Sequence, residues 1–180
     1  NLPMVPITDL TIKENDLIVA TQGRSFWVLD DLTPVQQKDN NILDKNIFAF
    51  GVNDAYRFDG SQMPNPKNAG TNPSNGSVIN YYLKNISDSS NVSIDILDKN
   101  KKLIKTFSTK AKEKEDKLDV STGMNQFVWN MFYPAAEKID GQIIWHGSVP
   151  GPKAAPGLYF YKIKAFSLQY FSNILKELNI

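Results

Sequence analysis

The sequence predicts an all-β protein: an antiparallel β-sandwich over residues 47–180 closed by a short C-terminal helix, preceded by a linker at 38–46 and a three-stranded sheet within 1–37. Three observations predict it. Apolar and polar residues alternate in short runs, the period at which successive side chains of an extended chain point to opposite faces. Gly, Pro, Asn and Asp punctuate those runs at the spacing of turns. Between them, residues 30–46 form a polar stretch with Pro34 and the run Gln36-Gln37-Lys38-Asp39-Asn40-Asn41, the composition of a domain boundary.

The first strand is read at 8–13, where Leu10 and Ile12 alternate with polar neighbours, and Glu14-Asn15-Asp16 is a turn. Leu17-Ile18-Val19-Ala20 is a continuous apolar run, as in a strand covered on both faces. Gly23 marks the next turn, and Ser25-Phe26-Trp27-Val28-Leu29 is the third strand. These three make most of a four-stranded blade, which alone buries too little surface to be stable. Its apolar strands therefore call for a partner: the sandwich, the C-terminal helix, or the same strands of a second copy in a homodimer.

Residues 59–75 read as a long loop, with Pro64, Pro66 and Pro73 among glycines and asparagines. Beyond it the strands recur with the rhythm of an immunoglobulin-like sandwich. Ile79, Tyr81 and Leu83 share a face in 77–83, and Val92, Ile94 and Ile96 do so in 92–97. Leu103, Ile104 and Phe107 follow an Asp98-Lys99-Asn100-Lys101 turn. Phe127, Trp129 and Met131 line up in 124–132, a short strand is read at 142–146, and Tyr159, Tyr161 and Ile163 share one side of 158–165. The last segment reads as an amphipathic helix, because Leu168, Phe171, Ile174, Leu175 and Leu178 recur at helical spacing.

Composition excludes several function classes. Hydrophobic residues at 41% and charged residues at 22% exclude wholesale disorder. A net charge of +1 provides no field for nucleic acid, and the lysines between Lys99 and Lys117 interleave with acids, as on a solvated hairpin and loop. Without cysteine there is no disulfide, thiolate nucleophile or Cys-bound zinc. No apolar run approaches the ~18 residues of a membrane span. The start Asn1-Leu2-Pro3-Met4-Val5-Pro6 lacks the basic region and apolar core of a signal peptide, so a secreted parent would carry its signal upstream.

The residues that could carry chemistry are few. A sialidase-type site needs an arginine cluster for a carboxylate, whereas this chain has only Arg24 and Arg57. Glycoside hydrolysis needs two facing carboxylates, but the adjacent Asp30 and Asp31 point to opposite faces and read as strand-ending residues that take turn hydrogen bonds. Asp95 lies opposite the apolar set of its strand and reads as solvent-facing. His146 is the only histidine, with no metal-ligand spacing around it, and Ser148 lacks the strained turn of a nucleophile. Trp27 and Trp129 read as core. Trp145, beside His146 and a Gly/Pro loop, is the tryptophan placed to stack on a sugar ring. Trp145 and His146 are thus the candidate ligand-binding residues, with no catalytic residue, metal site or cofactor expected.

Several stretches carry a resemblance. Val5-Pro6-Ile7-Thr8-Asp9-Leu10 and Asn15-Asp16-Leu17-Ile18-Val19-Ala20-Thr21-Gln22-Gly23-Arg24-Ser25-Phe26-Trp27-Val28-Leu29-Asp30-Asp31-Leu32 resemble the closing blade of large bacterial sortilin-like β-propeller proteins with neuraminidase-type (BNR) repeats, a family often labelled glycosyl hydrolase. Asn72-Pro73-Ser74-Asn75-Gly76-Ser77-Val78-Ile79-Asn80-Tyr81-Tyr82-Leu83, Ile94-Asp95-Ile96-Leu97-Asp98, Gly123-Met124-Asn125-Gln126-Phe127-Val128-Trp129-Asn130 and Gly151-Pro152-Lys153-Ala154-Ala155-Pro156-Gly157-Leu158-Tyr159 are similar to the immunoglobulin- or fibronectin-III-like sandwich that follows it. Together they run through most of residues 3–165. The resemblance implies a remnant of a terminal propeller blade at 1–37, a missing upstream propeller as partner, and a secreted, periplasmic or cell-surface parent. It departs at the end, where the family has another strand and this chain reads as a helix, and no Ser-x-Asp-x-Gly-x-x-Trp box is present. The expected function is a non-catalytic accessory or structural module. The alternatives are a carbohydrate-binding module that takes polysaccharide, or the C-terminal part of a glycoside hydrolase whose active site lies in the propeller.

Overall fold

The structure is a computed structural model, and it describes residues 2–38, 41–56, 74–86, 90–135, 151–166 and 171–180. It is all-β, and the chain divides into two compact units, Asn1–Asp39 and Asn40–Ile180.

The N-terminal unit is an antiparallel sheet of three strands in sequence order: β1 (Ile7–Lys13), β2 (Asp16–Thr21) and β3 (Phe26–Leu29). Lys13 pairs with Asp16, leaving Glu14 and Asn15 as a two-residue turn. Both have positive φ, 55° and 88°, the geometry whose twist matches that of the flanking strands. The register places Leu10, Val19 and Trp27 in one row and Ile12, Leu17 and Leu29 in another, all on one face. Ile18 and Val28, and Ala20 and Phe26, are paired on the opposite face. Both faces are therefore apolar, yet only Val19 in the sheet is buried; Leu10, Ile12, Phe26, Val28 and Leu29 are exposed. Trp27, expected in a core, is half-buried, with its indole N–H donating to the Arg24 carbonyl at 2.9 Å. The polar stretch that follows contains one helical turn, α1 (Thr33–Gln36), with Pro34 in its first turn, where a missing N–H costs nothing.

Among the described residues the second unit is a sandwich of seven strands. One sheet has the order β4-β5-β8, from β4 (Ile47–Ala49), β5 (Ser77–Leu83) and β8 (Gly123–Trp129). The other has the order β10-β9-β6-β7, from β6 (Asn91–Leu97), β7 (Leu103–Ser108), β9 (Leu158–Phe166) and β10 (Phe171–Asn179). Every pairing is antiparallel, and the chain crosses between sheets after β5, β7 and β8, the layered arrangement of an immunoglobulin-like sandwich. The inner faces meet in one core that includes Ile79, Tyr81, Leu83, Val92, Ile94, Ile96, Trp129, Tyr161 and Ile163. Burial of these side chains is the main stabilising term, at roughly 1.5–3 kcal/mol for each large aliphatic one. Phe127 packs against this core half-buried, with its ring 4.7 Å from that of Phe107.

Two elements differ from the sequence reading. The expected C-terminal helix is a strand: β10 pairs with β9 along its whole length, from Phe171 opposite Phe166 to Asn179 opposite Leu158. Ile174 and Leu178 are separated by four residues, which suits a helix face, but an even separation also suits one face of a strand. The exposed edge of β9 supplies hydrogen bonds that a short helix would have had to find within itself, and sheet pairing wins over local spacing. The other difference is β4, whose three residues are too few for a periodic signal; its register is set by β5, with Ile47 opposite Leu83 and Ala49 opposite Tyr81. The strand read at 142–146 lies outside the described residues.

Candidate functional site

Trp145, His146, Ser148 and Arg57 all lie outside the described residues. What the structure gives is the neck from which the segment carrying Trp145 and His146 departs. Phe132 and Lys153 form an antiparallel bridge, Tyr133 N–H donates to the Pro152 carbonyl at 2.9 Å, and Ala154 N–H donates to the Met131 carbonyl at 2.7 Å. The Lys153 ammonium lies 5.6 Å from the centre of the Phe132 ring. At Gly151 any Cβ would collide with the carbonyl oxygens of Tyr133 and Pro134, so only glycine lets the two strands of the neck approach.

Next to this neck stands a feature that periodicity cannot show. Tyr159, at the start of the sixth sandwich strand, turns its hydroxyl back to donate to the Ala155 carbonyl at 2.8 Å. This is the tyrosine corner of immunoglobulin-like sandwiches, which pins the crossing between sheets. The ring of Trp129 meets that of Tyr159 edge-on at 5.6 Å, and the Trp129 indole N–H donates to the Phe132 carbonyl. Burial, followed by the neighbouring Tyr133 hydroxyl, pushes the Tyr159 phenol above its ordinary range. The phenol therefore stays a neutral donor, as the corner requires. Trp129 is fully buried and closes the core, in agreement with its sequence pattern.

Asp95 departs from its expected solvent exposure. It does project from the face opposite the core, but it is 6% exposed. Its carboxylate accepts from the Thr106 hydroxyl at 2.8 Å and pairs with the Lys164 ammonium. The reason is position: β6 is flanked by β7 and β9, whose side chains, including the aliphatic stem of Lys164, cover a short aspartate between them. A buried carboxylate needs such partners, and one cation plus one hydroxyl meet that need without leaving a free acid for catalysis.

Asp31 takes the structural role its sequence suggests. With φ of 59°, it accepts from Asn15 Nδ2 at 2.9 Å and from the Thr33 backbone N–H at 3.0 Å. Its own N–H donates to Asp16 Oδ1 at 2.9 Å, and Asn15 Nδ2 also reaches Thr33 Oγ1 at 2.7 Å. This network ties the β1–β2 turn to the end of β3. Asp30 and Arg24 are exposed. Among the described residues no group of three or more His, Cys, Asp or Glu is placed to hold a metal ion, and no helix is long and apolar enough to cross a membrane.

Sequence reasoning thus missed Tyr159 as the corner residue and Asp95 as one end of a buried ion pair. The tyrosine had a signal, since it follows a Pro-Gly turn at the head of a long strand. The burial of Asp95 had none, because it depends on strands 11 and 69 residues away.

No protein-family model, curated protein or solved structure matches the chain. The likeness to the end of a sortilin-like propeller protein rests on the stretches quoted from its sequence.

Proposed function

We propose that this chain is a non-catalytic, structural module of a larger secreted β-propeller protein, in which the N-terminal sheet packs as a blade and the sandwich follows it as an accessory domain. The observation that carries this reading is the sheet of β1, β2 and β3, apolar on both faces and exposed at Leu10, Ile12, Phe26, Val28 and Leu29. A sheet that only caps a core is polar on its other side, whereas one wedged between two layers is apolar on both. Three strands of four to seven residues also fall short of independent stability. The carboxylates favour the same reading, since Asp31 and Asp95 are engaged in structural hydrogen bonds and an ion pair.

Amide hydrogen exchange tests it. Residues 17–29 should exchange far faster than β6 and β9 in the 180-residue chain, and should slow by orders of magnitude in a longer parent that supplies the flanking layers. Equal protection of β2 and β6 in the chain alone would sink the proposal, as would glycoside turnover that disappears on mutating Asp30 or Asp31.

A further inference from the structure

Asn75 is the only asparagine in the sequence that is followed by glycine. The pair lies just before β5, with Asn75 exposed and Gly76 half-buried. Residue 76 has to be glycine for two reasons. Its φ is 151°, which strains any residue with a side chain, and a Cβ there would collide with the Trp129 carbonyl oxygen. The backbone thus enters β5 pressed against β8. Pairing between the two strands begins one residue later, at Ser77 opposite Trp129, and both of these residues are fully buried. Asn75 stands ahead of that first rung, in contact with solvent.

We propose that Asn75–Gly76 is a self-modification site, where the chain converts asparagine to isoaspartate and loosens its own sandwich with age. The Gly76 backbone nitrogen, its proton lost to hydroxide, attacks Asn75 Cγ. The N–Cγ bond forms, the Cγ–Nδ2 bond breaks, and the amide nitrogen takes protons from water and leaves as ammonia. A five-membered succinimide remains, and water then adds at one of its two carbonyls. Opening at Cγ gives aspartate on an ordinary backbone. Opening at the main-chain carbonyl of residue 75 leaves the peptide link running through Cβ, which is isoaspartate. The sum is one water taken up and one ammonia released. A side chain on the following residue would crowd the attacking nitrogen, and glycine has none. The fold itself keeps residue 76 a glycine, so it also keeps the reactive pair. The two products differ in what they do to the structure. Aspartate adds a charge at an exposed position and leaves the backbone as it was. Isoaspartate adds one methylene to the main chain directly ahead of Gly76, where the Trp129 carbonyl leaves no room, and displaces the first rung of β5 against β8. This inference concerns one peptide bond, and it holds or fails independently of the proposed function.

Ageing the 180-residue chain at physiological temperature and mildly alkaline pH tests it, with peptide mapping and methylation by an isoaspartate-specific carboxyl methyltransferase as readouts. Isoaspartate should appear at residue 75 faster than at any other asparagine, and faster at alkaline than at neutral pH. The melting temperature of the chain should fall in step with its isoaspartate content. Asn75→Gln, which would have to close a six-membered ring, should accept little methyl and hold its own melting temperature through the same ageing. Fresh Asn75→Asp carries the charge without the longer backbone and should melt above the aged chain. Asn75 intact after ageing would overturn the proposal, as would deamidation spread evenly over the asparagines. An isoaspartate-rich chain that melts with the fresh one would overturn it equally, by showing that β5 tolerates the extra methylene.

Discussion

The two sheets at the heart of this protein's sandwich and the single sheet of its N-terminal unit are built from the same kinds of residue, yet they use them differently. In β6, Val92, Ile94 and Ile96 are fully buried, and the alternate positions carry Asn91, Ser93 and Asp95. In β2 and β3, apolar residues occupy alternate and intervening positions alike, and only Val19 of these eight is buried. Composition is therefore a poor guide to burial. A strand face is buried only when a second layer stands over it, and the sandwich supplies that layer from its own chain. The N-terminal sheet has the pattern of a doubly covered layer but the exposure of an uncovered one.

The largest expected effect sharpens this contrast. Trp129→Ala should cost roughly 3–5 kcal/mol, the usual loss on deleting a large buried aromatic, whereas Trp27→Ala in the N-terminal sheet should cost less than about 1.5 kcal/mol. Denaturant melts of the two variants measure it, and equal losses would mean that both units are packed alike. Next in size, Lys164→Ala should destabilise the sandwich by about 2–3 kcal/mol, because it strands the buried Asp95 carboxylate with only the Thr106 hydroxyl. A loss under 0.5 kcal/mol, roughly the noise of surface substitutions, would show that Asp95 is solvated after all.

Two fully buried tyrosines give a finer test. Tyr161 donates its hydroxyl to the Phe50 carbonyl at 2.8 Å, while the Tyr81 hydroxyl is buried with no partner among the described residues. Tyr161→Phe should therefore cost about 1 kcal/mol, and Tyr81→Phe should be neutral or stabilising by a similar amount. The reverse order in thermal melts would contradict the packing. Burial raises both phenols well above their ordinary value of 10.0. Above pH 10 the unfolded chain releases these protons and the folded chain keeps them, so stability holds below about pH 10 and falls as pH rises beyond it. The slope of stability against pH between about 10 and 11 should flatten in the double Phe variant, and an unchanged slope would mean other groups set the alkaline limit. The smallest effect belongs to β1: Leu10→Ser and Ile12→Thr, both at exposed positions, should each shift stability by no more than about 0.5 kcal/mol.

Much of the sandwich was legible in the sequence because its signal is local. The period-2 sets of β5, β6 and β9 each span seven or more residues, and all of them point to the core as read. The Asp98 turn was legible for the same reason, with Asn100 and Lys102 N–H groups donating to its carboxylate at 2.8 Å. Legibility failed where the deciding partner was remote. Leu178 is 1% exposed on a strand because β9 offers an edge, although its spacing to Ile174 fits a helix equally well. The same holds for the polar groups: the Asp31 network lies within one short unit and could be read, whereas the Asp95 pair joins three strands and could not.

What the sequence determined by itself is therefore the all-β class, the faces of the long strands and the positions of the turns, since each follows from alternation and from residues that tolerate or force a turn. The tertiary structure alone decided three things: that residues 171–179 extend a sheet, that Tyr159 bonds back to Ala155, and that Asp95 is buried beside Lys164. Each of these depends on hydrogen bonds between groups that no local period relates, formed only once the chain brings their partners alongside.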